Sequence, residues 1–236
     1  MLIGIIGAMD IEVRALCNLM EEAEIEKISS VEFYRGRIEG VDTVVAVAGV
    51  GKVNAAVCAQ TMILKYSPDC IINTGVAGGL APELGIGDIA VAKSVAEHDM
   101  DTTPLGDAPG FITGLDMVYM DCDDNLVKLM CKAIEKETGK SAVCGTIASG
   151  DQFIASDEQR KRIIKDFNAV AAEMEGAAIG HVCTMNGVNF GVLRSISDGA
   201  NSGSAVDFPT FAKSAADTAV KIIRAMLRDI KENYDE

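Results

Sequence analysis

The segment VNFGVLRSISD, residues 188–198, combines an apolar strand with a group of polar side chains. Its first part, 188–193, is a short apolar run that predicts a buried strand, and an arginine, two serines and an aspartate follow it. About twenty residues earlier, Glu173 and Glu175 stand at the start of a helix of small and apolar residues. Ligands bind at the carboxyl ends of strands in open α/β sheets. The carboxylates and the arginine therefore predict a site that breaks a polar bond.

Apolar runs alternate with amphipathic segments along the rest of the chain, which is typical of a mostly parallel sheet covered by helices. Residues 99–123 hold two prolines and three glycines, and they predict a long loop. There is no internal repeat and no change of composition, so residues 1–236 are predicted to form a single domain. Strands are predicted over 2–6, 31–37, 43–48, 69–73, 87–95, 143–148 and 188–193, and helices over 10–27, 52–66, 125–138, 156–167 and 209–234.

The formal net charge of −14 limits the partners that this chain can bind. Nucleic acid is disfavoured because its phosphates would be repelled, and no basic stripe with interleaved aromatic residues offsets the repulsion. No apolar run is long enough to span a membrane, and the run 1–9 lacks the basic flank of a signal peptide. We therefore expect a small neutral or cationic ligand, with neither a nucleic-acid nor a membrane partner.

Seven cysteines and two histidines set the redox and metal expectations. The number of cysteines is odd and no Cys-x-x-Cys pair occurs, which favours free thiols in a reducing cytoplasm. His98 and His181 have no partner at ligand spacing, so no metal site is predicted. No cofactor is expected either.

Two glycine-rich segments follow predicted strands but match no nucleotide-binding fingerprint. In GIIGAM, residues 4–9, the spacing departs from Gly-x-Gly-x-x-Gly, and Asp10 and Glu12 place negative charge where a pyrophosphate would bind. In NTGVAGG, residues 73–79, three glycines predict a tight turn or a close approach to a ligand. The Gly-Lys-Ser/Thr of a P-loop is absent from this segment. Dinucleotide and triphosphate sites are therefore both disfavoured.

Glu12 and Phe153 each allow two interpretations. Glu12 falls in the first turn of a predicted helix, where the macrodipole favours an ionised carboxylate, catalytic or not. Phe153 follows a predicted strand, where a phenylalanine more often packs in the core than offers its ring to an aromatic ligand. The residues alone leave both alternatives open.

Eight short motifs stand in order along the chain, and the set is more specific than any one member. They are 4–9 (GIIGAM) with Glu12, 49–52 (GVGK), 73–79 (NTGVAGG), 87–89 (GDI), 98–101 (HDMD), 149–154 (SGDQFI), 173–176 (EMEG) and 194–198 (RSISD). Together they resemble the nucleoside phosphorylase superfamily and, within it, the bacterial 5′-methylthioadenosine/S-adenosylhomocysteine nucleosidases. The resemblance extends from residue 2 to about residue 211.

The resemblance implies a fold, an assembly and a reaction. The fold is α/β, a three-layer α/β/α sandwich around a mixed, partly closed sheet, and the assembly is a homodimer. The reaction is the irreversible hydrolysis of the adenine–ribose bond in 5′-methylthioadenosine, S-adenosylhomocysteine and 5′-deoxyadenosine. It releases adenine and, from the first two, a ribose that keeps its 5-thio substituent.

The resemblance also implies a role for individual residues. Glu12 is the general base that activates water, Asp198 is the general acid that protonates adenine, and Arg194 helps to hold the water and Glu12. Glu175 binds the ribose hydroxyls, and Met174 packs beside the sugar. The other implied contacts are Phe153 and Ile154 on adenine, Ser197 beside Asp198, Met9, Val50, Phe208 and Leu105 around the 5′ substituent, and Val76, Ala77, Gly78 and Glu173.

This chain departs from the family pattern at two positions. Val76 stands where bacterial nucleosidases often carry a serine, which removes a polar contact near the nucleophile. Leu105 stands where an aromatic residue can reach across the dimer, so residues near Leu105 are expected to complete the neighbouring subunit's 5′ pocket. These departures leave open the preference among 5′ substituents.

Three alternatives compete with this prediction. Another purine nucleosidase of the same fold would act on futalosine or adenosine, but the predicted 5′ pocket is apolar and favours a thioether. A phosphate-dependent phosphorylase would need an arginine near residues 73–75, where none occurs, and Glu12 would repel its phosphate. A nucleoside-binding protein without activity would gain nothing from desolvating three carboxylates.

Overall fold

The structure is a computed structural model that describes residues 1–198 and 208–234, with the side chains of 1–197 and 213–232. In this part of the chain ten strands join into one sheet. The strands are β1 (Leu2–Gly7), β2 (Glu21–Ile28), β3 (Val31–Ile38), β4 (Val41–Val47), β5 (Cys70–Gly79), β6 (Ile89–Glu97), β7 (Met120–Asp121), β8 (Val143–Ser149), β9 (Ala169–Glu173) and β10 (Asn189–Asp198).

Five of these strands close into a barrel. They follow one another in the order β10–β6–β8–β9–β5, and a parallel pairing of β5 with β10 completes the ring. From β5 the sheet continues outward through β1, β4, β3 and β2, and β7 pairs with β6. Parallel and antiparallel pairs both occur, since β6 is parallel to β8 but antiparallel to β10. The predicted mixed, partly closed sheet is therefore confirmed.

Helices cover the two faces of the sheet, and they are α1 (Asp10–Leu19), α2 (Lys52–Tyr66), α3 (Asp124–Thr138), α4 (Asp157–Phe167), α5 (Gly176–Asn186) and α6 (Phe208–Tyr234). The helices α2 and α5 pack on each other on one face, while α1 and α3 both pack against α6 on the other. Each interface with the sheet holds its own cluster of buried apolar residues, so the predicted three layers are confirmed. No helix in the described ranges has both the length and the apolarity to cross a bilayer.

The predicted helix over 10–27 is wrong in its second half, because α1 ends at Leu19 and the glutamate-rich segment that follows forms β2. Glutamate is a good helix former, so local propensity favoured a longer helix. Ser29 and Ser30 both have positive φ, which fits a two-residue hairpin turn, and β2 pairs with β3 across it. Tertiary pairing has overridden propensity, and the charged side chains protect an exposed sheet edge.

Two predicted strands are longer than expected, and besides β2 two strands were missed: β9, and the two-residue β7 inside the predicted loop 99–123. Residues 73–79, predicted as a turn, continue β5 because that segment is hydrogen-bonded to β1, β10 and β9. Residues 194–198 likewise belong to β10, so Arg194 projects from a strand and not from a loop. The alanine-rich β9 has weak strand propensity and went unpredicted. The other predicted strands and helices are confirmed with shifted ends, and the single domain stays a prediction that one continuous sheet favours.

Candidate active site

Glu12 is the first component of a buried polar cluster beyond the end of β1. Its Oε2 accepts hydrogen bonds from the backbone N–H groups of Ala8 (2.8 Å) and Met9 (2.9 Å). Its Oε1 accepts a third hydrogen bond from the N–H of Val76, at 3.2 Å. Burial raises the pKa of this carboxyl above its ordinary value, and the hydrogen bond from Met9 offsets only part of that effect. The side chain is therefore fixed in place and is a stronger base than an exposed glutamate.

Arg194 carries the positive charge of the cluster, and only 1% of its surface is exposed. Its Nη2 donates to Glu173 Oε2 and to Asn73 Oδ1, and its Nε donates to Glu173 Oε2 at 3.2 Å. Glu173 also accepts hydrogen bonds from the Ser149 hydroxyl and from the N–H of Gly176 (2.8 Å). Burial alone would raise the pKa of Glu173, but the charge of Arg194 and the hydrogen bonds from Ser149, Arg194 and Gly176 together outweigh burial, and the pKa is lowered. This ion pair is charged, and its hydrogen-bonding groups are largely engaged within the protein.

Glu175 is the third carboxyl of the cluster and immediately precedes α5. Its Oε1 accepts a hydrogen bond from the N–H of Gly51 at 2.8 Å, and the residue is buried. Burial and, after it, the negative charge of Glu173 raise the pKa of Glu175 to about 7. Glu175 can therefore gain or lose a proton near neutral pH, unlike Glu173 beside it.

Gly75 of β5 shows how closely these groups approach one another. A Cβ atom at this position would lie 2.6 Å from Glu12 Oε1 and 3.2 Å from Arg194 Nη1. The absence of a side chain thus lets the Glu12 carboxylate and the guanidinium reach the same point of the strand. Glu173, Glu175 and Arg194, which the sequence predicts to converge, lie in one cluster, and Glu12 lies in it too.

Replacing Gly75 with alanine is expected to lower kcat by about 10-fold to 100-fold, because the new methyl group must displace the Glu12 carboxylate. Steady-state kinetics on an adenine nucleoside would measure this loss. Gly114→Ala is the matched control, since a Cβ at Gly114 meets no atom within 4 Å. Equal activity of the two variants would show that the position of Glu12 is unimportant.

The raised pKa of Glu175 predicts a pH-dependent stability. The folded-state value of about 7 exceeds the ordinary 4.5, so the folded protein keeps a proton that the unfolded chain has lost between these pH values. Stability therefore falls as pH rises through this window. Glu175→Gln should remove the effect, and the variant should gain about 1–3 kcal/mol on the wild type between pH 5 and pH 8. Urea unfolding at both pH values measures the difference, with the exposed Glu83→Gln as control.

The strands β5 and β10 carry several of the other predicted contact residues. Val76, Ala77 and Gly78 follow one another on β5, and the Ser197 hydroxyl donates to the carbonyl of Ala77 at 3.3 Å. The backbone of Asp198 ends β10 opposite Gly78. The side chain of Asp198 lies outside the described residues, so its predicted role as the acid stays a prediction.

The residues predicted to bind adenine follow β8. Phe153 is 69% exposed, so the alternative that it packs in the core is wrong. Ile154 is partly buried and packs on a small apolar cluster at this end of the barrel. The ring of Phe153 is free to accept a stacking partner, as the second interpretation requires.

The residues predicted to surround the 5′ substituent are less closely grouped. Met9 lies next to the Glu12 carboxylate, which its N–H binds, and Val50 precedes Gly51. Leu105 ends a short 3-10 helix in the predicted 99–123 loop and is 83% exposed, so within one subunit it closes no pocket. The side chain of Phe208 lies outside the described residues. Met174, by contrast, is partly buried and stands between Glu173 and Glu175 in the chain.

The polar residues that support this cluster had no role predicted from the sequence. Most of them stand inside the quoted motifs. A polar residue next to a strand end, with no evident function at the surface, is the signal that could have identified them. A helical histidine on an apolar face gave no such signal. The residues are Lys52, Asn73, Glu97, Asp99, Ser149, Asp151 and His181.

Comparison with known proteins identifies the family of this site. The family model described as the phosphorylase superfamily matches residues 2–228. A 5′-methylthioadenosine/S-adenosylhomocysteine nucleosidase of Shewanella halifaxensis is 41% identical over 231 residues, which cover 98% of this chain and 100% of the relative. The chain belongs to the 5′-methylthioadenosine/S-adenosylhomocysteine nucleosidases of the phosphorylase superfamily.

Solved structures agree with this family. The nucleosidase of Neisseria meningitidis in complex with methylthio-immucillin-A has a TM-score of 0.91 and 34% identity, covering 97% of this chain and 99% of that one. A futalosine hydrolase mutant of Helicobacter pylori has a TM-score of 0.90 and 32% identity, covering 97% and 99%. A methylthioadenosine/S-adenosylhomocysteine nucleosidase and a protein described as a futalosine hydrolase therefore both share this fold.

Proposed function

We propose that this protein hydrolyses the N-glycosidic bond of 5′-methylthioadenosine and S-adenosylhomocysteine and releases adenine. The observation that carries the proposal is the Glu12 carboxylate, which is buried, has a raised pKa and is held by three backbone N–H groups beside Arg194. Full-length relatives with this activity in their names support it.

The proposed chemistry divides the work between two carboxyl groups. Glu12 takes a proton from the attacking water, while Asp198 protonates the departing purine, which is otherwise a poor leaving group. The transition state gains positive charge on the ribose, and the nearby carboxylates stabilise it. Base and acid act on opposite faces of the sugar, as in an inverting glycosidase. Arg194 acts indirectly, by fixing Glu173 and lowering the pKa of Glu12 through its charge.

Substrate binding is proposed to involve a ribose-binding part and an adenine-binding part of the site. Glu175 binds the ribose hydroxyls, and its proton occupancy near neutral pH lets it donate or accept a hydrogen bond there. Phe153 stacks on adenine, and the backbone of Ile154 binds the adenine edge. Met174 packs beside the sugar.

Water is favoured over phosphate as the nucleophile because the Glu12 carboxylate occupies the backbone N–H donors that a phosphate would need. The backbone N–H groups of Ala8 and Met9, at the start of α1, would suit an anion, but both already donate to the Glu12 carboxylate. A phosphate dianion next to that buried negative charge would be repelled. A phosphate-dependent phosphorylase is therefore the weaker candidate.

A futalosine hydrolase is the second candidate function, since such an enzyme has the same fold at 32% identity. The 5′ position distinguishes the two substrates, because a thioether is apolar and the futalosine substituent carries a carboxylate. Met9 and Val50 are apolar, and the net charge of −14 disfavours an added anion. Comparison of kcat/KM for 5′-methylthioadenosine and futalosine decides between them.

A homodimer is proposed as the working assembly. Helix α2 exposes Val53, Val57 and Leu64, and Met185 of the adjoining α5 is also exposed. Leu105 is the most exposed of the large apolar side chains in the described residues, which fits a residue that reaches into a partner's 5′ pocket. Sedimentation that finds only a 24.8 kDa species at working concentration would contradict this assembly.

The cytoplasm is proposed as the location of this enzyme. All seven cysteines are free, and the Sγ atoms of Cys131 and Cys144 lie 3.3 Å apart, in a hydrogen bond and not in a disulfide. Free thiols at that distance persist where the environment is reducing.

The experiment that tests the proposed function is adenine release from 5′-methylthioadenosine, with phosphate removed enzymatically and then restored. We expect full release without phosphate and the free thiosugar as the second product. Release that depends on phosphate, with a sugar 1-phosphate as product, would make the protein a phosphorylase. Absence of release under both conditions would contradict the proposed substrate.

A further inference from the structure

A partly buried lysine lies between the two halves of the proposed nucleoside site. Lys52 begins α2, and its Nζ lies 2.8 Å from Glu97 Oε2 and 2.7 Å from Asp99 Oδ1. Only 19% of its side chain is exposed, so both ion pairs are shielded from water. Glu97 is also bonded to His181 of α5, at 2.8 Å from Nδ1. The lysine thus joins the end of β6 to the start of α2.

The same residues form a closed ring of hydrogen bonds with the segment after β8. The N–H of Asp151 donates to Asp99 Oδ2 at 2.8 Å, and the N–H of Lys52 donates to Asp151 Oδ1 at 2.7 Å. Asp151 therefore caps α2 from a distant loop, a role that no side chain within α2's own N-terminus fills. We call the set Lys52, Glu97, Asp99 and Asp151 the clasp.

The clasp is connected through the backbone to both proposed substrate contacts, Glu175 and Phe153. Gly51, one residue before Lys52, donates its N–H to Glu175, and its φ of +98° is one that side chains rarely adopt. Phe153 follows Asp151 by two residues. A shift of the clasp would move the donor that holds Glu175 and the loop that carries Phe153 together.

We propose that Lys52 is a positioning residue that sets the Gly51 amide, and with it the ribose-binding Glu175, relative to the adenine-binding loop. The inference rests on the proposed function for the identity of the ligand, and on the hydrogen bonds for the geometry. Without the ammonium group, Glu97 and Asp99 would repel each other and the ring would open.

Lys52→Met is the test, with Lys65→Met as matched control, because Lys65 lies at the other end of α2 in an exposed pair with Glu26. The readout is the ratio of kcat/KM for 5′-methylthioadenosine to that for its 2′-deoxy analogue, which reports recognition of the ribose hydroxyl. We expect this ratio to fall about tenfold in Lys52→Met and to stay unchanged in Lys65→Met. Equal loss on both substrates would reduce Lys52 to a structural residue and overturn the proposal.

A second measurement does not depend on activity. Hydrogen exchange of the Gly51 amide, followed by NMR, should accelerate about tenfold or more in Lys52→Met while Ala59 in mid-α2 is unchanged. If the wild type releases no adenine, the proposed function fails and this exchange rate alone decides on the clasp. An unchanged exchange rate of the Gly51 amide in Lys52→Met would overturn the proposal that Lys52 positions this amide.

A further pair of variants covers the case in which Lys52→Met does not fold. Asp151→Asn keeps an oxygen that can accept the Lys52 N–H, whereas Asp151→Ala removes it. We expect the substrate ratio to be retained in Asp151→Asn and lost in Asp151→Ala. Equal ratios in the two variants would contradict the proposed positioning.

Discussion

Glu12→Gln is expected to lower kcat for adenine release by about 10²–10⁴-fold with little change in KM. A glutamine oxygen can still accept the N–H groups of Ala8 and Met9, so the side chain should keep its place. Its amide group cannot take a proton from water and cannot accept the N–H of Val76. The substitution therefore removes the base while largely preserving the shape of the site.

The stability of Glu12→Gln separates this loss from unfolding. Glu12 contributes negative charge to a region that also holds Glu173 and Glu175, and burial opposes its ionisation. Removing the charge should leave the unfolding free energy unchanged or raised, although activity falls. Urea unfolding beside steady-state kinetics measures both quantities. Turnover close to that of the wild type would show that water is activated elsewhere.

Asp198→Asn gives the companion measurement for the proposed acid. A 5′-methylthioriboside with a nitrophenolate leaving group needs no protonation as it departs, so it should be cleaved well by Asp198→Asn. Glu12→Gln should stay slow on that substrate, because the water still lacks its base. Equal behaviour of the two variants would contradict the division of roles between Glu12 and Asp198.

The fold was largely predictable because its signals are local. Apolar runs bounded by glycines identified most of the strands, and Ser156 correctly predicted the start of α4, whose first turn it caps. The segment 21–28 could not be predicted from its own residues, since its glutamates favour helix and only the pairing with β3 makes it a strand. Strand β9 has no signal of its own, because barrel closure holds it in place.

The charged residues of the motifs could be predicted as parts of the site. The polar residues that hydrogen-bond to those charges could not. Glu12, Glu175 and Arg194 were identified from the sequence as parts of one site, and the structure brings them together. Asn73 and Ser149 were not identified from the sequence, because the residue type of an amide or a hydroxyl does not indicate which group it will hydrogen-bond. Their positions follow only from the need to satisfy Arg194 and Glu173 in the absence of water.

Arg194→Met is expected to destabilise the protein by about 3–5 kcal/mol and to abolish activity. The guanidinium is the positive partner of Glu173 in a region that also holds Glu12 and Glu175, and methionine would leave all three carboxyls uncompensated. Urea unfolding measures the loss. Arg228→Met is the matched control, since Arg228 is 43% exposed in its ion pair with Glu39 and its removal should cost about 1 kcal/mol or less.

The double variant Glu173→Gln with Arg194→Met tests whether the loss comes from the unpaired charge. A neutral glutamine at 173 can keep hydrogen bonds with Ser149 and the backbone of Gly176. The carboxylate that pairs directly with Arg194 is then absent, and only the charges of Glu12 and Glu175 stay uncompensated. Most of the stability should return, because removing both members of a buried pair costs far less than removing one. Activity should not return, since Glu12 would still lack the positive charge that holds its pKa down. A double variant as unstable as Arg194→Met would mean that the side chain stabilises the protein by its packing, and the electrostatic account of the site would fail.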